Sequence, residues 1–306
     1  MYKVPTQLDK IAVVTGANSG TGKETARRLA GAGALVIMTV RTKEKGEAAR
    51  EEIVAQQPDA QLEVRMLDLA DLSSVKTFAD ALLSEKRPLN LLVNNAGVMT
   101  PPKRFETVDG FELQMGTNFL GPFALTLRLM PLLLAANESR VTTMSSDVAT
   151  VGSIRFNDSQ WRRRYSPFFA YAQSKLADLL FALQLSSIAR ERNWDLISNA
   201  AHPGFTRTNL LSAGASLGRG RPRRQWMGQA TFLPSQGVEQ GSEPLLYAAA
   251  SPEAVSGAYY GPSRFFGLVG PTTIVRVPRS ARKANLGERL WKLAEQLTGV
   301  ELPGAM

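Results

Sequence analysis

Ile11-Ala12-Val13-Val14-Thr15-Gly16-Ala17-Asn18-Ser19-Gly20-Thr21-Gly22 is the stretch whose reading decides the fold. A short apolar run ends in three glycines, and a helical pattern over 23–30 follows at once. Strand, glycine-rich turn and helix is the layout of a dinucleotide-binding βα unit. The glycines let the backbone approach a pyrophosphate, and the helix N-terminus offers it free N–H groups. The spacing is G-x-x-x-G-x-G rather than the common G-x-G-x-x-G.

Working outward, Gly31 and Gly33 end that helix, and 35–40 reads as a second strand. The residues after such a strand face the adenosine ribose. An acid there binds the 2′-hydroxyl, whereas a base accommodates a 2′-phosphate. This chain has Val40-Arg41-Thr42, with Lys43 and Lys45 nearby and no acid at the strand end. A guanidinium suits phosphate recognition, so the cofactor expected is NADP (NADPH) rather than NAD.

A third strand over 62–67 runs into Asp68-Leu69, a helix covers 72–83, and a fourth strand over 89–93 runs into Asn94-Asn95-Ala96-Gly97. Asn94 reads as a packing and backbone-bonding residue. Asn118 opens an apolar helix over 119–136, which Arg128, Gly121, Pro122 and Pro131 interrupt. That stretch therefore reads as a core helix and not as a membrane span. A fifth strand over 141–144 ends at Ser145-Ser146, and an irregular stretch over 147–166 carries Trp161 and three arginines. A sixth strand over 196–201 ends in His202-Pro203-Gly204-Phe205-Thr206. A helix over 243–250, a last strand over 258–260 and an amphipathic helix marked by Leu286, Leu290, Leu293, Ala294 and Leu297 complete the chain. The last helix is expected to pack on its own domain rather than lie on a membrane. Strands alternating with helices imply an α/β, doubly wound parallel sheet with helices on both faces.

Between the fifth and sixth strands lies Tyr171-Ala172-Gln173-Ser174-Lys175, followed by leucines at helical spacing. Residues four apart share one helix face, so a phenol and an ammonium project together. A nearby positive charge favours the phenolate, and Tyr171 is expected to titrate below a free tyrosine. Such a phenol is a candidate general acid for a reacting carbonyl.

Composition narrows the class. The chain has 306 residues, 44% hydrophobic and 21% charged, as a soluble globular protein does. Its net charge is +9, but the basic residues gather locally, as at Arg162-Arg163-Arg164 and over 219–224, without a stripe of interleaved aromatics. A nucleic-acid partner is therefore not expected. With no cysteine, disulfide frameworks, thiol chemistry and cysteine-based metal sites are excluded, and no metal is expected. The N-terminus has no signal-peptide shape, so the protein is expected to be cytoplasmic. Residues 208–240 mix Gly, Ser, Arg and Pro with Trp226, Met227, Phe232 and Leu233, which reads as a functional lid or a disordered segment.

In order along the chain, Thr15-Gly16-x-x-x-Gly20-x-Gly22, Asn94-Asn95-Ala96-Gly97, Asn118, Ser146, Tyr171-x-x-x-Lys175 and Pro203-Gly204 resemble the short-chain dehydrogenase/reductase family. Arg41-Thr42-x-x-Lys45-Gly46 and His202-Pro203-Gly204 look most like its retinol-dehydrogenase-like branch. The resemblance implies one Rossmann-type domain over 1–306: a core of about 8–262, a substrate lid of about 206–240 and a helical extension over 263–306. It implies Tyr171 as general acid/base, Ser146 orienting the substrate oxygen, Lys175 holding the nicotinamide ribose, and Asn118 keeping a water chain to Lys175. Cofactor contacts would come from Gly16, Asn18, Ser19, Gly20, Thr21, Gly22, Arg41, Asp68, Leu69, Asn95, Ala96, Gly97, Tyr171, Lys175, Pro203, Gly204 and Thr206. His202, the only histidine, is expected to be structural. The implied activity is NADPH-dependent carbonyl reduction, or the reverse alcohol oxidation, on a bulky hydrophobic ketone or alcohol. The rival reading is a non-catalytic NADP-binding regulatory protein on the same fold. A homodimer or homotetramer is the implied assembly.

Overall fold

The structure, a computed structural model, describes residues 1–207, 217 and 234–303. Seven strands run parallel: β1 (Ile11–Thr15), β2 (Leu35–Val40), β3 (Leu62–Met66), β4 (Leu91–Asn94), β5 (Ser139–Met144), β6 (Leu196–Ala201) and β7 (Tyr259–Arg264). An eighth, β8 (Val269–Ile274), pairs antiparallel with β7, and the sheet order is β3-β2-β1-β4-β5-β6-β7-β8. The doubly wound parallel sheet expected from the sequence is thus present, with one antiparallel edge strand added to it. Its last strand returns in a hairpin that leaves Thr272 partly buried and Ile274 exposed.

The central strands are apolar on both sides because helices cover both faces. Neighbouring residues show the pleat: Val13, Ile37, Leu92 and Val141 enter one core layer, whereas Ala12, Val14, Met38 and Val93 enter the other. On the first face lie α3 (Leu72–Glu85), α4 (Gly121–Leu134) and α5 (Pro167–Glu191); on the second lie α1 (Gly20–Ala30), α2 (Lys43–Gln56) and α6 (Glu243–Ala250). The C-terminal helix α7 (Leu286–Thr298) sits on the first face, burying Leu290, Trp291 and Ala294. The Trp291 ring lies 5.0 Å from that of Phe123 and 5.8 Å from that of Phe181. The described part of the extension, 263–303, therefore completes the sheet edge and one core layer.

Two local readings change. Asn118 does not open a helix; it lies inside a π-helical turn, Met115–Leu120, that runs straight into α4. One extra residue per turn there brings the Asn118 side chain round to Val98 and α5, and such bulges recur at functional sites. The stretch Met115–Leu134 is long and apolar enough to cross a membrane, and 83% of its most apolar window is buried within the fold. Of the insert read as a lid, about 206–240, residues 208–233 lie outside the described residues except for Leu217. Its stems are tied: Arg207 donates its N–H to the Gln236 carbonyl (3.1 Å) and Gln236 donates its own to Phe205 (3.0 Å). The chain is already helical again at Val238–Gly241, before the end of the expected lid.

Candidate active site

The strand order reverses between β1 and β4, and the loops leaving their carboxyl ends diverge there to form the crevice where such folds bind ligands. Thr15, the last residue of β1, holds the two loops together. Its Oγ1 accepts the backbone N–H groups of Asn95 and Ala96, each at 2.9 Å, and donates to the Val93 carbonyl. Asn95 returns Nδ2 to the Thr15 carbonyl (2.8 Å) and accepts from Thr21 Oγ1 (2.9 Å). Asn95 and Thr21 are thus brought together with the glycine loop, and the amide's role is to lock it.

Two glycines make this approach feasible. Gly16 has φ +66°, a left-handed conformation that costs a side chain dearly. At Gly22 a Cβ would stand 2.5 Å from the Gly16 carbonyl oxygen and 2.4 Å from Asn95 Nδ2. The turn therefore closes backbone on backbone. Ser19 is the N-cap of α1 but makes no side-chain cap, leaving the first-turn N–H groups facing the crevice beside Asn18, Gly20 and Thr21. A bare turn over an uncapped helix start fits a bound pyrophosphate.

Arg41 stands exposed between β2 and α2, with Lys43 opening the helix, so the basic group is where a 2′-phosphate reader would sit. Asp68 follows β3 and accepts the Ala70 N–H through Oδ1 (2.9 Å), while its own N–H goes to Ser74 Oγ. Leu69 is buried against Gly121, where a Cβ would meet its carbonyl oxygen at 2.3 Å. These bonds order the loop; the Leu69 side chain faces the core. At the end of β6, Thr206 Oγ1 donates to the Pro203 carbonyl (2.5 Å) and Gly204 takes φ +58°.

The reactive side chains meet over β4 to β6. Tyr171 and Lys175 lie near the start of α5, whose N-cap Ser166 and first-turn Pro167 fix where the helix begins. Lys175 Nζ lies 5.9 Å from the Tyr171 ring centre and donates to the Met144 carbonyl at 2.9 Å. Ser146, two residues past β5, is held at its carbonyl by the Tyr259 hydroxyl (3.1 Å). Of the two serines, Ser145 commits its hydroxyl to the Lys175 carbonyl at 2.7 Å, while that of Ser146 faces Tyr171. Asn118 Oδ1 accepts the Val98 N–H (2.7 Å), and its Nδ2 donates to the Val98 carbonyl (3.0 Å) and to Ser174 Oγ (2.9 Å). It therefore pins the loop beyond Gly97 to α5. At Gly97 a Cβ would lie 3.1 Å from Asn118 Oδ1 and 3.7 Å from Lys175 Nζ, so the β4 loop abuts the pair.

Burial pushes the Tyr171 phenol above its ordinary range, and the Lys175 charge and the Ser146 hydroxyl pull it back only in part. The expected low titration of Tyr171 is thus corrected for the protein alone: desolvation outweighs the ammonium. Sequence reasoning also missed two acids. Asp178 bonds Lys175 from one turn along α5, a partnership readable from their i, i+3 spacing. Asp147 Oδ1 lies 3.0 Å from His202 Nδ1, and burial raises the carboxyl to about 7 and lowers the imidazole to about 4. No spacing in the sequence pairs these two, because the segments that follow β5 and β6 supply one each.

Against known proteins, residues 10–216 match the family model for short chain dehydrogenase. The polyprenol dehydrogenase of Mus musculus is 41% identical over 97% of this chain and 86% of its own length. Retinol dehydrogenase 12 of Homo sapiens is 38% identical over 95% of this chain and 87% of its own. A crystal structure of an uncharacterized protein from Mycobacterium Paratuberculosis is 42% identical, covers 98% of this chain and 97% of that one, and superposes with a TM-score of 0.80. Motif order, crevice and relatives agree: the chain belongs to the short-chain dehydrogenase family of oxidoreductases, on its retinol-dehydrogenase-like side.

Proposed function

We propose that this protein reduces the carbonyl of a bulky hydrophobic substrate with NADPH, or oxidises the corresponding secondary alcohol, using Tyr171 as general acid/base. The observation that carries the reading is Tyr171 beside Lys175 and Ser146 on the carboxyl side of the sheet, next to a glycine turn shaped for a pyrophosphate. The uncapped start of α1 would receive the pyrophosphate, and Arg41 would receive the 2′-phosphate that sets NADP apart from NAD. When bound, the nicotinamide supplies or takes up the hydride.

The protein's own part is proton handling. Ser146 donates a hydrogen bond to the substrate oxygen as negative charge builds on it. Tyr171 delivers its phenolic proton to that oxygen in reduction and removes one in oxidation. Lys175, held protonated, makes the phenol a better acid than its buried position alone would allow. Asn118 keeps the loop at Gly97 and Val98 against α5, which fixes the floor on which cofactor and substrate meet.

The apolar substrate class is supported by the exposed Phe168 and Phe169 at the entrance to α5, and by the apolar alcohols in the relatives' names, polyprenol and retinol. The experiment is NADPH consumption across ketones graded by apolar bulk. Turnover that rises with bulk is expected; turnover favouring small polar ketones contradicts the substrate class.

A further inference from the structure

Behind the reactive pair, α5 carries a third ionisable side chain. Asp178 lies one turn beyond Lys175 on the same helix face, and its Oδ2 accepts a hydrogen bond from Lys175 Nζ at 2.8 Å. The two side chains are 2% and 4% exposed. Asp178 Oδ1 is buried with no hydrogen-bond partner. A dry carboxylate with one oxygen unsatisfied is costly, and a fold gains nothing from it that an apolar side chain would not supply. What Asp178 does supply is charge, at the back of the group that tunes Tyr171.

We propose that Asp178 is a positioning residue for the reaction: its carboxylate anchors the Lys175 ammonium and sets the pH at which the Tyr171–Lys175 pair gives up its first proton. This rests on the functional reading above. Burial alone would lower Lys175, and the Asp178 charge reverses that direction so that the ammonium ends above its ordinary range. The same negative charge holds the proton on Tyr171. Around the pair stand Lys175 and Asp178 from α5, Ser145 and Ser146 from the end of β5, Asp147 from the turn that follows, and Tyr259 from β7. Asp147 and Asp178 both act on the neighbouring Tyr259, whose proton their charges hold in place, and His202 beside Asp147 is neutral at physiological pH. Asp178 is the acid in direct contact with Lys175, so its removal moves the pair most. Because the two protons are coupled, the shift belongs to the pair rather than to either residue.

The test uses the full chain without cofactor, labelled at Tyr Cζ and Lys Cε with carbon-13, the two resonances being assigned by their loss in Tyr171→Phe and Lys175→Met. Asp178→Asn keeps an oxygen for Lys175 and removes the charge. The first transition of the pair is expected to fall by about one pH unit or more, a roughly tenfold weaker hold on the proton. A transition within about 0.2 units of the wild type overturns the proposal. Should Asp178→Asn fail to fold, Lys175→Met with carboxyl-labelled aspartate gives the reciprocal measurement. The Asp178 carboxyl must then titrate higher than in the wild type, and an unmoved midpoint again overturns the proposal. Neither measurement uses turnover. Activity retained in Tyr171→Phe would strike the functional reading, whereas unmoved titrations strike only the role of Asp178.

Discussion

Thr15 Oγ1 accepts the backbone N–H groups of both Asn95 and Ala96, so a single hydroxyl ties β1 to the loop leaving β4 where the sheet reverses its order. Thr15→Val preserves shape and removes the acceptor. The Ala96 N–H would then lose its partner, at about 1–3 kcal/mol, while the Asn95 N–H would keep only the Val93 carbonyl at 3.0 Å. Chemical denaturation should show the loss, and NADPH affinity should weaken with it. A variant as stable as the wild type would mean that the loops do not depend on this contact.

At Gly22 the space for a methyl group is already filled by Gly16 backbone and Asn95. Gly22→Ala should cost about 1–3 kcal/mol of stability from overpacking. Because the strain falls on the glycine turn, NADPH affinity should drop at least tenfold in fluorescence titration, while far-UV circular dichroism stays native. Unchanged affinity would remove the turn from the cofactor site.

The proposed function gives Arg41 the choice between NADPH and NADH. Arg41→Glu should weaken NADPH binding far more than NADH binding, reversing the order of their dissociation constants, since the phosphate would then face a like charge. An unchanged NADPH to NADH ratio would refute the 2′-phosphate role.

His202 sits buried beside Asp147 with its imidazole lowered to about 4. A base depressed in the folded state contributes stability that is fully present above about 6.5 and is lost as pH falls towards 4, because the unfolded chain takes up the proton first. Asp147, raised to about 7, trends the other way between its unfolded value and 7, in the wild type and in a His202 variant alike. The stability margin of wild type over His202→Asn should therefore shrink on acidification from pH 6.5 to 4, by on the order of 3 kcal/mol. A margin independent of pH would show that His202 is charged or solvated in the fold.

Much of this architecture is legible in the chain because its signals are local. The run over 11–14 with its glycines, the leucines after Lys175 and the apolar 119–136 each carry their own period. What escapes reading is set by neighbours. The helix α2 buries only Gly46, Ala49 and Ile53, too few to mark an apolar stripe. The edge strand β8 carries Gly270 and Pro271 and presents little apolar surface, so only its pairing with β7 makes it a strand. The π-helical turn at Asn118 inserts one residue into an otherwise regular helical pattern, which periodicity cannot register. In the site, Tyr171 and Lys175 were readable from their i, i+4 spacing. The phenol's raised pKa was not, because desolvation depends on the whole core packed around α5.

The central claim is that Tyr171 moves the proton. Tyr171→Phe keeps the ring in its buried place and removes the hydroxyl alone. Measured with NADPH and a bulky apolar ketone, kcat should fall by about 100-fold or more, the scale of a lost general acid, while the NADPH dissociation constant stays within about twofold of the wild type. Turnover retained at the wild-type rate would contradict the account.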